Sequence, residues 1–467
     1  MIATLLIASA ISVSSAHPRY FETDDGRPWI PIGCNICFDR VPREGEGAVD
    51  HAAVRAHMER WLSDFADNGG NCVRLWAGQR SLEVMPEKPG EYDAEASETM
   101  RRILRLAERK GLKLKVTLES FRSCLPDGTK ARQPFFNRRA YAPYAKTMGE
   151  FYASEKCRAF YLGKADYLAS LGYADSPAVY CWELWNEINA TAPMWDYAPW
   201  SDFMLAELKR RFPRQLTVQN LGSFSDPAAY QQYDQKATVK GNDFMQVHRY
   251  IDPGAQLDAC RAPMDVVCAS AVREMLDRRG DCPAVLAEVG AVKANHTGMS
   301  PIHVADREGA LLHDMLFAPF FAGAAGTGQS WWWGEYVAVH NLWHHFRRFA
   351  KAIEGLDPVV ERFRPFYTET PRLRVYGLKG LKTIVVWCRD KRNGWEDEFV
   401  RGFRPETIAD ESLPFWGCSY DCYLPWEDRR VTVSAQKLPP FRRSIVVRVP
   451  ADAVDGLVRP HCRRGPV

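Results

Sequence analysis

From about residue 29 to 356, short continuous apolar runs alternate with stretches in which apolar residues return every three or four positions. The runs read as buried strands and the periodic stretches as helices. Trp29-Ile30-Pro31-Ile32-Gly33-Cys34-Asn35 reads as a first strand, followed by a helix over Val54–Phe65 that stops near Asn68-Gly69-Gly70. Cys72–Trp76 reads as a second strand. Met100, Ile103, Leu104 and Ala107 then line one helical face, and Gly111 is a natural stop. Lys113–Leu118 is a third strand, Tyr141–Leu171 a long helical stretch and Val179–Trp185 a fourth strand. Phe203–Phe212 is helical, with Pro213 ending it. Leu216–Gln219, Phe244–Val247, Ala284–Ala287 and Gly328–Trp333 complete eight strands. Helices are predicted over Val266–Leu276, Leu311–Phe321 and His340–Ile353. Eight strand-then-helix units are what a (β/α)8 TIM barrel requires. No Gly-x-Gly-x-x-Gly follows the first strand, so an open dinucleotide-binding sheet has no support.

The pattern changes after Asp357-Pro358. Arg372–Tyr376 and Thr383–Trp387 alternate with period two or run apolar, Lys379-Gly380 falls between them as a hairpin turn, and Ser444–Val449 is a last strand. The expected organisation is α/β: a barrel over residues 17–360, then a small all-β, sandwich-like domain over 361–467. At the other end, Leu5–Val13 is apolar and Ser14-Ser15-Ala16 is small, which reads as a signal peptide over residues 1–16. That predicts a secreted or periplasmic protein. A positive leading region is missing, and a buried first strand is the alternative.

Composition narrows the function. The chain has 467 residues, 46% apolar and 25% charged, with a net charge of +3. This near-neutral balance offers no field for nucleic acid, and no run is long enough to span a membrane. Fifteen Trp suit a cleft that stacks on flat rings, although large barrels also bury Trp. Of the 13 Cys, Cys34/Cys37 and Cys418/Cys422 are close in sequence. Neither pair is joined by a second such pair or a His cluster, so most are expected as small buried hydrophobes. His340 and His344 are four apart but lack a third ligand. No metal or organic cofactor is expected.

In a barrel, chemistry sits at the C-terminal ends of the strands. The residues there are Asn35, Arg74-Leu75-Trp76, Glu119, Trp185-Asn186-Glu187, His248-Arg249-Tyr250, Glu288-Val289-Gly290 and Trp331-Trp332-Trp333. Glu187 and Glu288 therefore face each other across one rim. Two facing carboxyl groups, one protonated and one ionised, are what glycoside cleavage with retention needs.

Trp182-Glu183-Leu184-Trp185-Asn186-Glu187 resembles the Asn-Glu signature of glycoside hydrolase clan A, nearest to family 5 of cellulases and mannanases. Ala287-Glu288-Val289-Gly290 is similar to that clan's nucleophile strand, His248-x-Tyr250 to its strand-six pair, and Asn71-Cys72-Val73-Arg74 to its strand-two segment. Phe21–Asn35 resembles its entry to the barrel. The match spans about residues 20–350, in order. The resemblance implies Glu187 as acid/base and Glu288 as nucleophile, acting on β-1,4-linked mannan or glucan. It implies that Asn186 bonds the sugar's 2-hydroxyl, that Tyr250 and Arg74 hold Glu288, and that His248 contacts Glu187 or the leaving side. One of Trp332 and Trp333 would form a stacking floor. The family usually carries a His at the end of strand three, where Glu119 is read here, adding a third carboxylate near the site. Glu183 is expected as a hydrogen-bonded carboxylate below it. Two other readings stay open: a non-catalytic carbohydrate-binding protein on a barrel, and an exo-acting β-glycosidase on short glycosides.

Overall fold

The computed structural model describes residues 9–39, 47–120, 138–222, 229–236, 239, 241–413, 419–434 and 437–453. Residues 1–8 and Cys418, on which two sequence expectations fall, lie outside them.

Three short strands open the chain as an antiparallel sheet: β1 (Ile11–Val13), β2 (Phe21–Thr23) and β3 (Pro28–Trp29). Five strands follow in sequence order as one parallel sheet: β4 (Gly33–Asn35), β5 (Cys72–Trp76), β6 (Lys113–Ser120), β7 (Val179–Asn186) and β8 (Leu216–Val218). β9 (Met245–Ile251) and β10 (Ala284–Ala291) form a parallel pair. Ser330 bridges Cys34 on β4 and Val289 on β10 in parallel register, joining the two sheets on one side. On the other side the peptide N–H of Asp243 donates to the Thr217 carbonyl at 3.0 Å, and Asn242 Oδ1 accepts from Gln219 N at 2.7 Å. The strand expected over Gly328–Trp333 is thus reduced to a single bridging residue, Ser330. Gly326 and Gly328 there abut the Pro31 and Met315 carbonyls too closely for a Cβ.

Helices separate these strands, as the apolar periodicity predicts. Ala94–Lys110 buries Met100, Ile103, Leu104 and Ala107. Asp93 caps its N-terminus by accepting from Ala96 N, and Gly111 closes it at φ +69°. The stretch expected as one helix over Tyr141–Leu171 is broken into Arg138–Tyr141, Met148–Ala153 and Glu155–Leu168. Ser154 is extended, ends one helix and caps the next through Cys157 N, so its hydroxyl competes successfully with helix continuation. The helix after β7 begins at Met194, nine residues before the first apolar repeat recognised in the sequence.

The C-terminal segment forms a six-stranded antiparallel sheet in the order β11-β12-β13-β18-β15-β16. Its strands are β11 (Arg364–Glu369), β12 (Leu373–Lys379), β13 (Thr383–Asp390), β15 (Tyr420–Leu424), β16 (Arg429–Val433) and β18 (Ser444–Pro450). β14 (Thr407–Ile408) and β17 (Phe441–Arg442) pair as a ribbon. Period-two alternation decides what each face meets. Tyr376, Val385, Trp387 and Val446 join the main core, where Trp387 packs on Phe317 and Phe321. Val375, Ile384, Val386, Ile445 and Val447 form a second core closed by Ile408, Leu413 and Phe441. The outer face is therefore covered by a ribbon and loops rather than by a second broad sheet. Two buried ion pairs tie the sheet to the helices beneath it: Arg389 Nε to Asp314 Oδ1 at 2.7 Å, and Arg374 Nη2 to Asp265 Oδ1 at 2.9 Å.

Among the described residues ten cysteines are buried. No helix there is long and apolar enough to cross a membrane. His340 and His344 meet backbone carbonyls, of His303 and Asn341 respectively.

Candidate active site

The ends of β4–β10 gather one charged and hydrogen-bonded cluster around a buried arginine. Arg74, on β5, is wholly buried. Its Nε donates to Glu183 Oε2 at 3.1 Å and its Nη2 to Asn186 Oδ1 at 2.7 Å. It also donates to Glu183 Oε1 through Nη2 and to Glu288 Oε1 through Nη1. One guanidinium thus serves two carboxylates and an amide, which its rigid fork allows and a lysine could not. Below it, Lys115 Nζ lies 3.3 Å from Glu183 Oε2 and donates to Gln246 Oε1 at 2.6 Å. Burial alone would raise the Glu183 carboxyl, but Arg74 and Lys115 outweigh it and hold it at about 2. Glu183 is a permanently charged base to the site, as its place below the rim predicts.

Glu288 is 4% exposed and Glu187 20%. Tyr250 donates its hydroxyl to Glu288 Oε2 at 2.7 Å. Burial and the adjacent carboxylate push the tyrosine far above its usual range, so it stays a donor. Burial also raises the Glu288 carboxyl, against the pull of Arg74 and the Tyr250 hydrogen bond. A β-bulge aims this side chain: the register of β10 against β9 steps from Val247–Leu286 to His248–Glu288, with Ala287 as the extra residue.

Glu187 sits just past β7 in the left-handed region, at φ +53°. A non-glycine residue pays for that conformation, and such outliers concentrate at functional sites. Its peptide N–H is held by Asn220 Oδ1 at 2.7 Å. Gly222 lies against it, where a Cβ would stand 3.3 Å from the Glu187 carboxyl carbon.

Asn220 assigns the remaining protons. Because its oxygen accepts from Glu187 N, its amide nitrogen is the group facing Glu183 Oε1 at 2.5 Å and His248 Nε2 at 3.3 Å. Nε2 is then an acceptor and the imidazole proton is on Nδ1. Burial keeps this imidazole neutral, with its pKa lowered to about 3. Nδ1–H donates to Glu187 Oε1 at 2.8 Å and lies 3.3 Å from Glu288 Oε2. One oxygen each of Glu187 and Glu288 and one His248 nitrogen lie within 4.8 Å of one another, a spacing that could hold a cation. The tautomer opposes it, since the nitrogen turned to the carboxylates carries the proton.

The structure brings together Glu187, Glu288, Arg74, Asn186, His248 and Tyr250. Trp332 is beside them: a Cβ on Gly290 would meet both its indole and the Tyr250 ring, and its Nε1 donates to Ala291 O at 3.1 Å. Trp333 is turned elsewhere, edge-on to Phe38 and Trp331 at 5.3 Å from each.

Two expected site residues are not there. Asn35 spends both amide hydrogens on the seam between strands, donating to Ala287 O at 3.0 Å and Gln329 O at 2.8 Å. Its Oδ1 accepts from Cys37 Sγ. Its amide hydrogens serve backbone carbonyls and its oxygen a neighbouring thiol. Glu119 is buried against the helix Glu155–Leu168, where Lys164 Nζ meets it at 2.9 Å and Glu83 at 2.6 Å. The reason is a break in strand alternation. Thr117 pairs with Glu183, but Glu119 pairs with Trp185 and Ser120 with Asn186. Trp185 packs outward on Tyr161 and Trp200, so Glu119 follows it outward and Ser120 shares the level of Asn186. Asn220 and Lys115 were not singled out from the sequence. Asn220 stands two residues past β8, the one strand end whose polar residues drew no attention.

No protein-family model matches this chain, and no curated protein does. Solved structures do. A glycoside hydrolase aligns over 96% of this chain and 98% of its own, with a TM-score of 0.60 at 12% identity. The endo-β-1,4-mannanase from Thermotoga petrophila aligns over 91% of this chain and 92% of its own, at 14% identity and a TM-score of 0.49. The β-mannanase from the blue mussel Mytilus edulis covers 73% of this chain and 97% of its own, at 15% identity and 0.48. The first of these likenesses extends over 96% of this chain and shows a shared fold.

Proposed function

We propose that this chain is a retaining glycoside hydrolase that cleaves β-linked polysaccharide or oligosaccharide of the mannan or glucan type. One observation carries the reading: oxygens of Glu187 and Glu288 lie within 4.8 Å of each other. Retaining enzymes hold their carboxyl groups about 5–5.5 Å apart, and inverting enzymes about 6.5–9.5 Å, to admit a water. The surroundings support the division of labour. Glu288 is buried, accepts from Arg74 and Tyr250, and is the nucleophile. Glu187 is the more exposed partner and is the acid/base.

In the first step a Glu288 oxygen attacks the anomeric carbon, the bond to the leaving oxygen breaks, and Glu187 gives that oxygen its proton. Since Glu187 Oε1 accepts from His248, the proton travels on Oε2. Arg74 fixes the Asn186 oxygen, so Asn186 presents its amide hydrogens to the sugar's 2-hydroxyl. Trp332 forms the apolar floor beside Tyr250. Once Glu288 is esterified its negative charge is gone, Glu187 binds its proton less tightly, and it becomes the base that activates water. Water attacks the anomeric carbon, Glu187 takes its proton, and Glu288 leaves as carboxylate.

We read the two parallel sheets, joined at Ser330, as one eight-stranded barrel over residues 17–360, with 361–467 as an accessory β domain. Export with cleavage after Ala16 would remove β1, as well as the Ser9 carbonyl that accepts from Lys113 Nζ at 2.5 Å. N-terminal sequencing of protein recovered outside the cytoplasm decides it, and an intact β1 in that protein overturns cleavage there.

The function is tested on a panel of β-mannans, β-glucans and aryl β-glycosides. A 2-deoxy-2-fluoro aryl glycoside should label the peptide holding Glu288, and the first-formed product should keep the β configuration. Absence of cleavage, or an α product, would sink the reading.

A further inference from the structure

The loop after β10 carries two consecutive non-glycine residues in the left-handed region, Asn295 at φ +59° and His296 at φ +56°. Asn and His tolerate that region better than most residues, but two in a row must be held by their surroundings. Asp252 holds them. Its carboxylate is 2% exposed, its Oδ1 accepts from Asn295 N at 3.0 Å and from Gly254 N at 2.8 Å, and its Oδ2 lies 3.4 Å from His296 Nε2. Gly254 is packed so tightly on the loop that a Cβ would stand 2.8 Å from Asn295 N. The result is a fixed imidazole. It sits edge-on to the Tyr250 ring, at 5.3 Å and 83°, while its own side chain remains 36% exposed. Tyr250 in turn bonds Glu288.

We infer that His296 is a specificity-determining residue, accepting a hydrogen bond from a hydroxyl of the sugar that becomes attached to Glu288. Three features point this way. His296 touches the residue that holds the nucleophile and is still open to solvent. It is aimed by a buried carboxylate, as imidazoles that must present one particular nitrogen commonly are. And two consecutive left-handed residues in the backbone put it there. Asp252 faces Nε2, which carries the proton, and this leaves Nδ1 as an acceptor for a ligand hydroxyl.

This inference rests on the glycosidase reading, and its test separates the two. His296→Ala and His296→Gln are compared with wild type on the aryl β-glycoside that the wild type cleaves best. His296→Ala should lower kcat/KM about tenfold, the loss of one good hydrogen bond, mainly through KM. His296→Gln should recover part of this. Thermal unfolding should be nearly unchanged, because about a third of the side chain is open to solvent. A loss below about twofold in a folded His296→Ala variant overturns the inference. A wild type that cleaves no member of the panel overturns the glycosidase reading instead. The imidazole nitrogen resonances of His296 are then followed during titration with mannotetraose and with cellotetraose, and resonances that move with neither overturn the inference by itself.

Discussion

Replacing Arg74 by methionine keeps the length of the side chain and removes the charge on which both inner carboxylates depend. Glu183 retains Lys115, 3.3 Å from its Oε2. Glu288 retains only neutral donors, the Tyr250 hydroxyl at 2.7 Å and the His248 Nδ1–H at 3.3 Å. Two unit charges about 4 Å apart interact by about 4 kcal/mol at an effective dielectric constant near 20. That corresponds to about three pKa units, of which relaxation and entering water would return a part. The sign is definite. Loss of a neighbouring cation disfavours the carboxylate, so the Glu288 pKa rises further above its ordinary value of 4.5. The attacking form is the carboxylate, so the acid limb of the kcat/KM profile moves to higher pH. We expect a shift of about two units, a loss of about a hundredfold at pH values below the new limb, and substantial recovery above it. Arg74→Lys, which keeps the charge but not the fork, should keep the limb near its original position. Removing one partner of a buried pair also costs about 3–5 kcal/mol of stability, measurable by urea unfolding. The assay is kcat/KM for an activated aryl β-glycoside across pH. An acid limb within about half a unit of wild type, in an Arg74→Met variant that urea unfolding shows to be folded, would refute the assignment of Arg74 as the charge that keeps Glu288 ionised.

Glu187→Ala should lose about two to four orders of magnitude on polymer, whose leaving groups need a proton. It should lose far less on dinitrophenyl glycosides, and equal losses on both would contradict the acid role. Asn35→Ala strips hydrogen bonds from two buried carbonyls and should cost about 1–3 kcal/mol in urea unfolding with KM unchanged. A raised KM at unchanged stability would return Asn35 to the binding site. Glu83 shares Lys164 with Glu119, and burial lifts its carboxyl from 4.5 to about 7. Its contribution to stability is therefore fully present at low pH and is lost as pH rises through about 7. Urea unfolding should show stability falling from pH 5 toward pH 8 in wild type and falling less in Glu83→Gln; parallel profiles would show that Glu83 is not the group responsible.

Most of the parallel strands were legible as apolar runs because they are buried on both faces, which leaves no alternation to misread. The helix boundaries were less so. Ser154 breaks the long helix through a hydroxyl–backbone bond, a choice that apolar periodicity does not record. The acidic pair was legible because Glu288 directly follows an apolar run and Glu187 comes one residue, Asn186, after a strand that ends in Trp185, at the level where a barrel presents its chemistry. Asn220 was not, since its importance lies in contacts with Glu183, Glu187 and His248, residues 28 to 37 positions away. Asn35 and Glu119 show the opposite failure. Both stand at strand ends and both are polar, yet the first is consumed by the seam to Ala287 and Gln329 and the second by Lys164.

By itself the sequence determined which segments are strands and helices, their order, and which polar residues stand at strand ends, because burial and periodicity are written into neighbouring residues. Which of those residues meet was decided only by the tertiary structure. A bulge at Ala287 aims Glu288, and a shared break in alternation on β6 and β7 turns Glu119 outward. A left-handed residue at Glu187 is held by an asparagine that stands two residues past β8. A strand repeats every two residues, so a single extra residue exchanges inside for outside. That extra residue is accommodated by pairing with a neighbouring strand, which the chain reaches only after it has folded.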